Sequence, residues 1–195
     1  MRRIVPKAEE ERKRKRNNIF VGIVVIIVML GSVFGVVVGY SGSPSTNQKG
    51  TEIEYNGQTF YNQKGFWVTQ YRGLNMSFKY SPEQTDGVAS VANTLNPLNS
   101  YPGKPLYIYS EDTVSRSEII RNVGRVARRI QPICLNEENC GNNYPLKDCS
   151  KNTIIIKESS QNEINQTQKC VYIEGKSKDL PKVADEFVYR ISGLK

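Results

Sequence analysis

Among its 195 residues the chain has no histidine. That absence excludes a Ser-His-Asp or Cys-His catalytic arrangement and every imidazole metal ligand. The four cysteines contain no Cys-x-x-Cys, so a thioredoxin-type exchange motif and the close-spaced ligand pairs usual in zinc sites are also missing. No glycine-rich phosphate loop follows a predicted strand. The net charge of +8 invites a nucleic-acid reading, but residues 1–18 hold eight Lys/Arg against three Glu and so carry most of the excess. The rest of the chain is only mildly basic, and no nucleic-acid partner is expected.

Charge is absent altogether from residues 19 to 40, a run dominated by Val, Ile and Gly. At 1.5 Å per helical residue it would extend about 33 Å, enough to cross a hydrocarbon core of roughly 30 Å. The run is therefore predicted to be a transmembrane helix in contact with membrane lipid. The basic tail 1–18 directly before it is the cytoplasmic flank that the positive-inside rule expects. The apolar run exceeds the usual core of a cleaved signal, and Val37 and Gly39 make a poor cleavage site, so a retained anchor is expected. Gly31, Gly35 and Gly39 recur every fourth residue and would lie on one helix face, where they could admit a second copy as a homodimer.

All four cysteines, Cys134, Cys140, Cys149 and Cys170, lie beyond the span. An even number on the outer side points to two disulfides in an oxidising compartment, with three pairings open. Two sequons, at Asn75 and Asn165, would face the same side.

After the span, residues 41–50 have linker composition, and 51–195 are expected to form one α+β domain, or an α/β sandwich. Residues 51–80 alternate polar and apolar positions between Asn56-Gly57, Lys64-Gly65 and Arg72-Gly73, which predicts a four-stranded β-meander. A short helix is read over Val88–Leu95. From 105 to 195 the pattern becomes β-α-β-β-α, braced by the disulfides. The first of its strands is Leu106–Tyr109. A helix then starts at a capping box of Ser115 and Glu118, stapled by Val114 and Ile119, and runs to Pro132. Strands follow at Thr153–Ile156 and Cys170–Ile173, joined by an exposed loop 159–169. The last helix begins near Asp179, carries an apolar stripe from Leu180 to Ile191, and stops at Gly193.

Two sets of side chains are candidates for function. Glu111, Asp112 and Glu158 follow the carboxyl ends of strands, where open sheets place ligands, and could offer oxygen to a hard cation; no cofactor is otherwise implied. Arg121, Arg125, Arg128 and Arg129 are expected along the exposed side of the first helix, where they could meet an anionic glycan, a lipid headgroup or an acidic envelope protein.

The basic tail, the single span, the Tyr55-Asn56-Gly57 hairpin, the four cysteines and the ending Ala184-Asp185-Glu186-Phe187-Val188-Tyr189-Arg190-Ile191 resemble small single-pass membrane-anchored proteins of archaea. The resemblance implies the same topology and supplies no activity. The expectation is an anchored extracytoplasmic binding or structural module of the cell envelope. The competing expectation is a tethered enzyme working through carboxylates, with or without a divalent metal.

Overall fold

The computed structural model describes residues 19–26, 29, 51–136, 140 and 144–195. The chain divides into two units, Met1–Gln48 and Lys49–Lys195. In the first, residues 19–26 and 29 are helical and exposed. Among the described residues no helix is long and apolar enough to cross a membrane. Most of the expected span, including Gly31, Gly35 and Gly39, lies outside them.

The second unit is a mixed α+β domain with two sheets. Strands β1 (Glu52–Tyr55), β2 (Gln58–Gln63), β3 (Phe66–Tyr71) and β4 (Leu74–Phe78) form the expected antiparallel meander in sequential order. Its three turns share one geometry. Asn56-Gly57, Lys64-Gly65 and Arg72-Gly73 all have both residues at positive φ, between 49° and 83°. This is the mirror-image turn whose twist matches a hairpin, and glycine at its second position makes it inexpensive. Alternation along β2 and β4 turns Phe60, Met76 and Phe78 inward, where they are buried.

The second sheet has six strands in the order β5-β9-β10-β8-β6-β7. They are β5 (Ser90–Val91), β6 (Pro105–Ser110), β7 (Arg129–Pro132), β8 (Thr153–Glu158), β9 (Glu163–Thr167) and β10 (Cys170–Gly175). Strands β10, β8, β6 and β7 run parallel, while β9 is antiparallel to β10. Two helices, α1 (Thr113–Asn122) and α2 (Leu180–Ser192), complete the domain.

Helix α1 touches α2, β4 and β6, and α2 reaches β9 and β10, so the helices form a layer between the sheets. Tyr189 of α2 stacks on Phe78 of the meander at 3.9 Å between ring centroids. Leu106, Ile108, Ile154, Ile156, Val171 and Ile173 of the large sheet join the same core. Helix α2 has the expected apolar stripe, Pro181 near its start and Gly193 in the left-handed conformation at its end. It also buries Asp185 and Glu186, because the layer on each side leaves it almost no solvent face.

Five expectations need correction. The β-α-β-β-α unit is β-α-β-β-β-β-α, since β7 and β9 are additional strands. Helix α1 ends at Asn122, gives one tight turn at Val123–Arg125 and becomes β7, where Ile130 pairs with Leu106. Gly124 and the β-branched Val123, Val126 and Ile130 weaken a helix continuation, and pairing with β6 supplies the alternative. The helix starts at Asp112, whose carboxylate accepts from the Ser115 amide at 2.6 Å, so Ser115 is not the cap. Val114 is exposed and staples nothing. The helix read over Val88–Leu95 is replaced by β5, with the Ser90 and Ala92 amides donating to Asn162 and Ile164 carbonyls.

Candidate functional site

Parallel strands start at the same end of a sheet, and in this chain a basic residue stands at or just before four of those starts. Lys104 precedes β6, Arg128 precedes β7 and Arg129 opens it, Lys151 lies two residues before β8, and Lys169 precedes β10. The register then gathers them: Pro105 pairs with Arg129, while Tyr107 and Cys170 both pair with Thr153. Residues far apart in sequence thus share one edge of the domain.

The result is a cleft of about 380 Å³ lined by Lys104, Pro105, Tyr107, Ser150, Lys151, Asn152 and Lys169. The Cys149–Cys170 disulfide joins its two walls, because Ser150 and Lys151 follow one cysteine and Lys169 precedes the other. Backbone bonds reinforce the join, with the Lys169 amide donating to the Cys149 carbonyl and the Tyr107 amide to the Asn152 carbonyl. Lys147 adds a fifth segment, its ammonium 5.4 Å from the centre of the Tyr107 ring.

The electrostatics follow from this crowding. Asp148 is held by the Ser150 amide and hydroxyl at 3.1 and 2.6 Å, and those bonds, with the Lys147 charge, keep its carboxyl below the ordinary pKa. No ion pair with a described carboxylate engages Lys104, Lys147, Lys151, Lys169 or Arg129. The Arg129 guanidinium donates to the Tyr107 hydroxyl at 3.3 Å. That bond, with the charges of Arg129, Lys147 and Lys151, holds the Tyr107 phenol below its ordinary pKa. Like charges around a lined hollow, with no described carboxylate in an ion pair with them, favour an anion.

Of the arginines expected to share a helix face, only Arg128 and Arg129 lie at this edge. Arg121 pairs with the buried Glu118 and covers the Phe66 ring at 4.2 Å. Arg125 donates to the Asn75 carbonyl at 2.8 Å. The four belong to a helix, a tight turn, a loop and a strand, so no arginine stripe exists.

The acidic candidates do lie together at the ends of β6 and β8, but Glu111 and Asp112 are engaged by protein groups. One Glu111 oxygen accepts from the Glu158 amide at 3.0 Å and the other from the Tyr109 hydroxyl at 3.2 Å, while Asp112 caps α1. Among the described residues no three Cys, Asp or Glu side chains gather so as to hold a metal ion. The cysteines form Cys134–Cys140 and Cys149–Cys170. Asn75 is exposed on β4, and Asn165 is half-buried with its carbonyl oxygen accepting from Asn93 at 2.7 Å.

Lys104, Tyr107, Lys147, Ser150, Lys151, Asn152 and Lys169 were not legible as a group. Their shared signal is a lysine ahead of three strands, and it acquires meaning only once those strands are known to be parallel. Comparison with known proteins finds no matching family, curated protein or solved structure.

Proposed function

We propose that the protein is a membrane-anchored extracytoplasmic binding module that takes an anionic partner in the cleft beside β6 and β8. The observation that carries this reading is the convergence of Lys104, Lys151, Lys169 and Arg129 on one hollow floored by Tyr107. Two disulfides suit an oxidising exterior. The uncharged run 19–40, flanked by the basic tail, supplies the anchor. The arginine edge expected to meet a lipid headgroup, an anionic glycan or an acidic protein is here replaced by a lysine-lined cleft with the same partner charge. Glu111 and Asp112, which a carboxylate enzyme would draw on, are occupied by the Glu158 amide and the α1 cap.

The test uses the full chain in vesicles whose outer face corresponds to the cell exterior. After reduction, a membrane-impermeant thiol reagent should label the cysteines, and a sulfated polysaccharide should bind the vesicles and be released by salt. Labelling only after the membrane is broken contradicts the placement, and failure to bind any polyanion contradicts the anionic partner.

A further inference from the structure

We infer that the cleft is a site for a phosphate monoester, an assignment that rests on the anion-binding reading above and names its ligand class. Three lysines from three separate segments, Lys104, Lys151 and Lys169, rim the hollow. Ammonium groups are compact point charges that approach an anion from any direction, and several of them around one hollow favour the nearly doubly charged phosphate monoester over a singly charged carboxylate. The one guanidinium shown bonding into the cleft, that of Arg129, donates to Tyr107. Lysines from three segments lining a common space suit the terminal oxygens of a tetrahedral group.

The remaining lining supplies a second, neutral part. Asn152 and Tyr107 border the same space and offer an amide and a hydroxyl to the hydroxyls of a polyol carrying the phosphate, while Ser150 gives its hydroxyl proton to the Asp148 carboxylate. A volume of about 380 Å³ is at the small end of ligand sites, the scale of a sugar phosphate or a lipid headgroup. The walls are also braced against the repulsion of their own lysines. Cys149–Cys170 links the segment bearing Ser150 and Lys151 to the one bearing Lys169, and the Thr153 amide donates to the Lys169 carbonyl at 3.0 Å. Like charges held together by a covalent link, with no described carboxylate paired to them, are an arrangement that a bound multivalent anion relieves.

Lys104 is tied in part, donating to the Ser100 carbonyl at 2.8 Å, and two further protons of its ammonium remain for a ligand. Lys151 and Lys169 are exposed. They are accordingly the residues whose replacement changes binding without disturbing the core.

Calorimetry on the full chain in detergent micelles tests the assignment, with inorganic phosphate, glycerol 3-phosphate, acetate and a sulfated polysaccharide as probes at constant ionic strength. Phosphatidic acid vesicles form a separate arm. Glycerol 3-phosphate should saturate one site and displace the polysaccharide, and acetate should not. The double variant Lys151→Met/Lys169→Met should weaken binding at least tenfold with an unchanged melting temperature, and Lys104→Met alone should weaken it less. Saturation by the soluble ester identifies a free phosphate ester as the source, and binding confined to the vesicles identifies the headgroup. If the polysaccharide binds and neither phosphate probe nor the vesicles compete, the ligand class is overturned while the anion-binding function stands. If none of the anions binds, both fail.

Discussion

The ammonium of Lys195 lies 2.7 Å from Glu186 Oε2 and 2.8 Å from Asp86 Oδ1, with the Lys195 side chain 6 % exposed and that of Glu186 only 1 %. Its third bond goes to Thr85 Oγ1 at 2.8 Å, and the Tyr55 and Tyr189 rings flank it at 5.6 Å. A single side chain therefore neutralises a carboxylate buried in α2 and ties that helix to the segment following the meander. Replacing it with Met removes the partner and leaves Glu186 with Arg190 alone, 2.7 Å from Oε1. Lys195→Met should cost about 3 kcal/mol, the low end for breaking a buried ion pair. Urea unfolding checks this, and Lys195→Met/Glu186→Gln should lose less than the two single changes together.

Asp185 is the contrasting case in the neighbouring position. One of its oxygens accepts from the Tyr80 amide at 2.9 Å, and the other is buried with no hydrogen-bond partner among the described residues. Burial, and next the nearby Glu118, push its pKa well above the ordinary carboxyl value, while the Tyr80 and Lys79 amides and Arg121 only partly oppose them. The folded protein thus keeps a proton that the unfolded chain releases, so this group's contribution to stability falls as pH rises above about 4. Asp185→Asn should raise stability near neutral pH by about 1 kcal/mol, the scale of one unsatisfied buried polar atom. Denaturant midpoints at about pH 4.5 and about pH 7.5 should show a smaller decline in the variant than in the parent chain.

Tyr107 should report the potential of the cleft directly. Its phenol is held below the ordinary value, first by the Arg129 hydrogen bond and then by the surrounding cations. The near-ultraviolet titration of the parent chain minus that of Tyr107→Phe should give a midpoint under about 10. Arg129→Met should move that midpoint upward. A depressed acid pKa in the folded state also means that this group adds stability as pH rises through its midpoint.

The two disulfides should differ in their effect. Cys149–Cys170 closes a separation of 21 residues and Cys134–Cys140 one of 6. Replacing the first pair with Ala should cost about 3 kcal/mol and the second about 2 kcal/mol on loop-closure grounds. Only the first joins the walls of the cleft, so only its loss should weaken retention on a sulfated matrix. Melting and retention measured on the two double variants separate the effects.

Local signals explain which elements the sequence revealed. The meander was legible because each of its turns has glycine in second place, the first after an Asn tolerant of positive φ, and α2 because Pro181 and Gly193 bracket a stripe of helical period. Strands β5 and β7 were not, because each is short and depends on a distant partner, Ile164 for Val91 and Leu106 for Ile130, and β9 was not because Ile164 is its one apolar residue. A helix extended through Ile130 fits the same apolar spacing, and only the sheet edge decides against it. The cleft was hidden for a related reason. Lys104 and Lys169 are 65 positions apart and meet only because β6 and β10 both lie beside β8 in parallel. The arginines drew attention instead because they are close together in the chain. The Cys149–Cys170 pairing likewise depends on the β8 and β10 starts that the register brings together.

Charge reversal at matched net charge tests most directly whether the cleft, and not the general basicity of the chain, binds anions. Lys151→Glu/Lys169→Glu changes the cleft, while Lys176→Glu/Lys178→Glu changes two exposed lysines following β10 at the opposite end of the sheet. Retention of the full chain on a sulfated-polysaccharide matrix is read as the salt concentration required for elution, since exposed charge attraction is screened by salt. The predicted result is elution of the cleft variant at or near the starting salt and of the control variant close to the parent. Equal losses in the two variants would contradict the account.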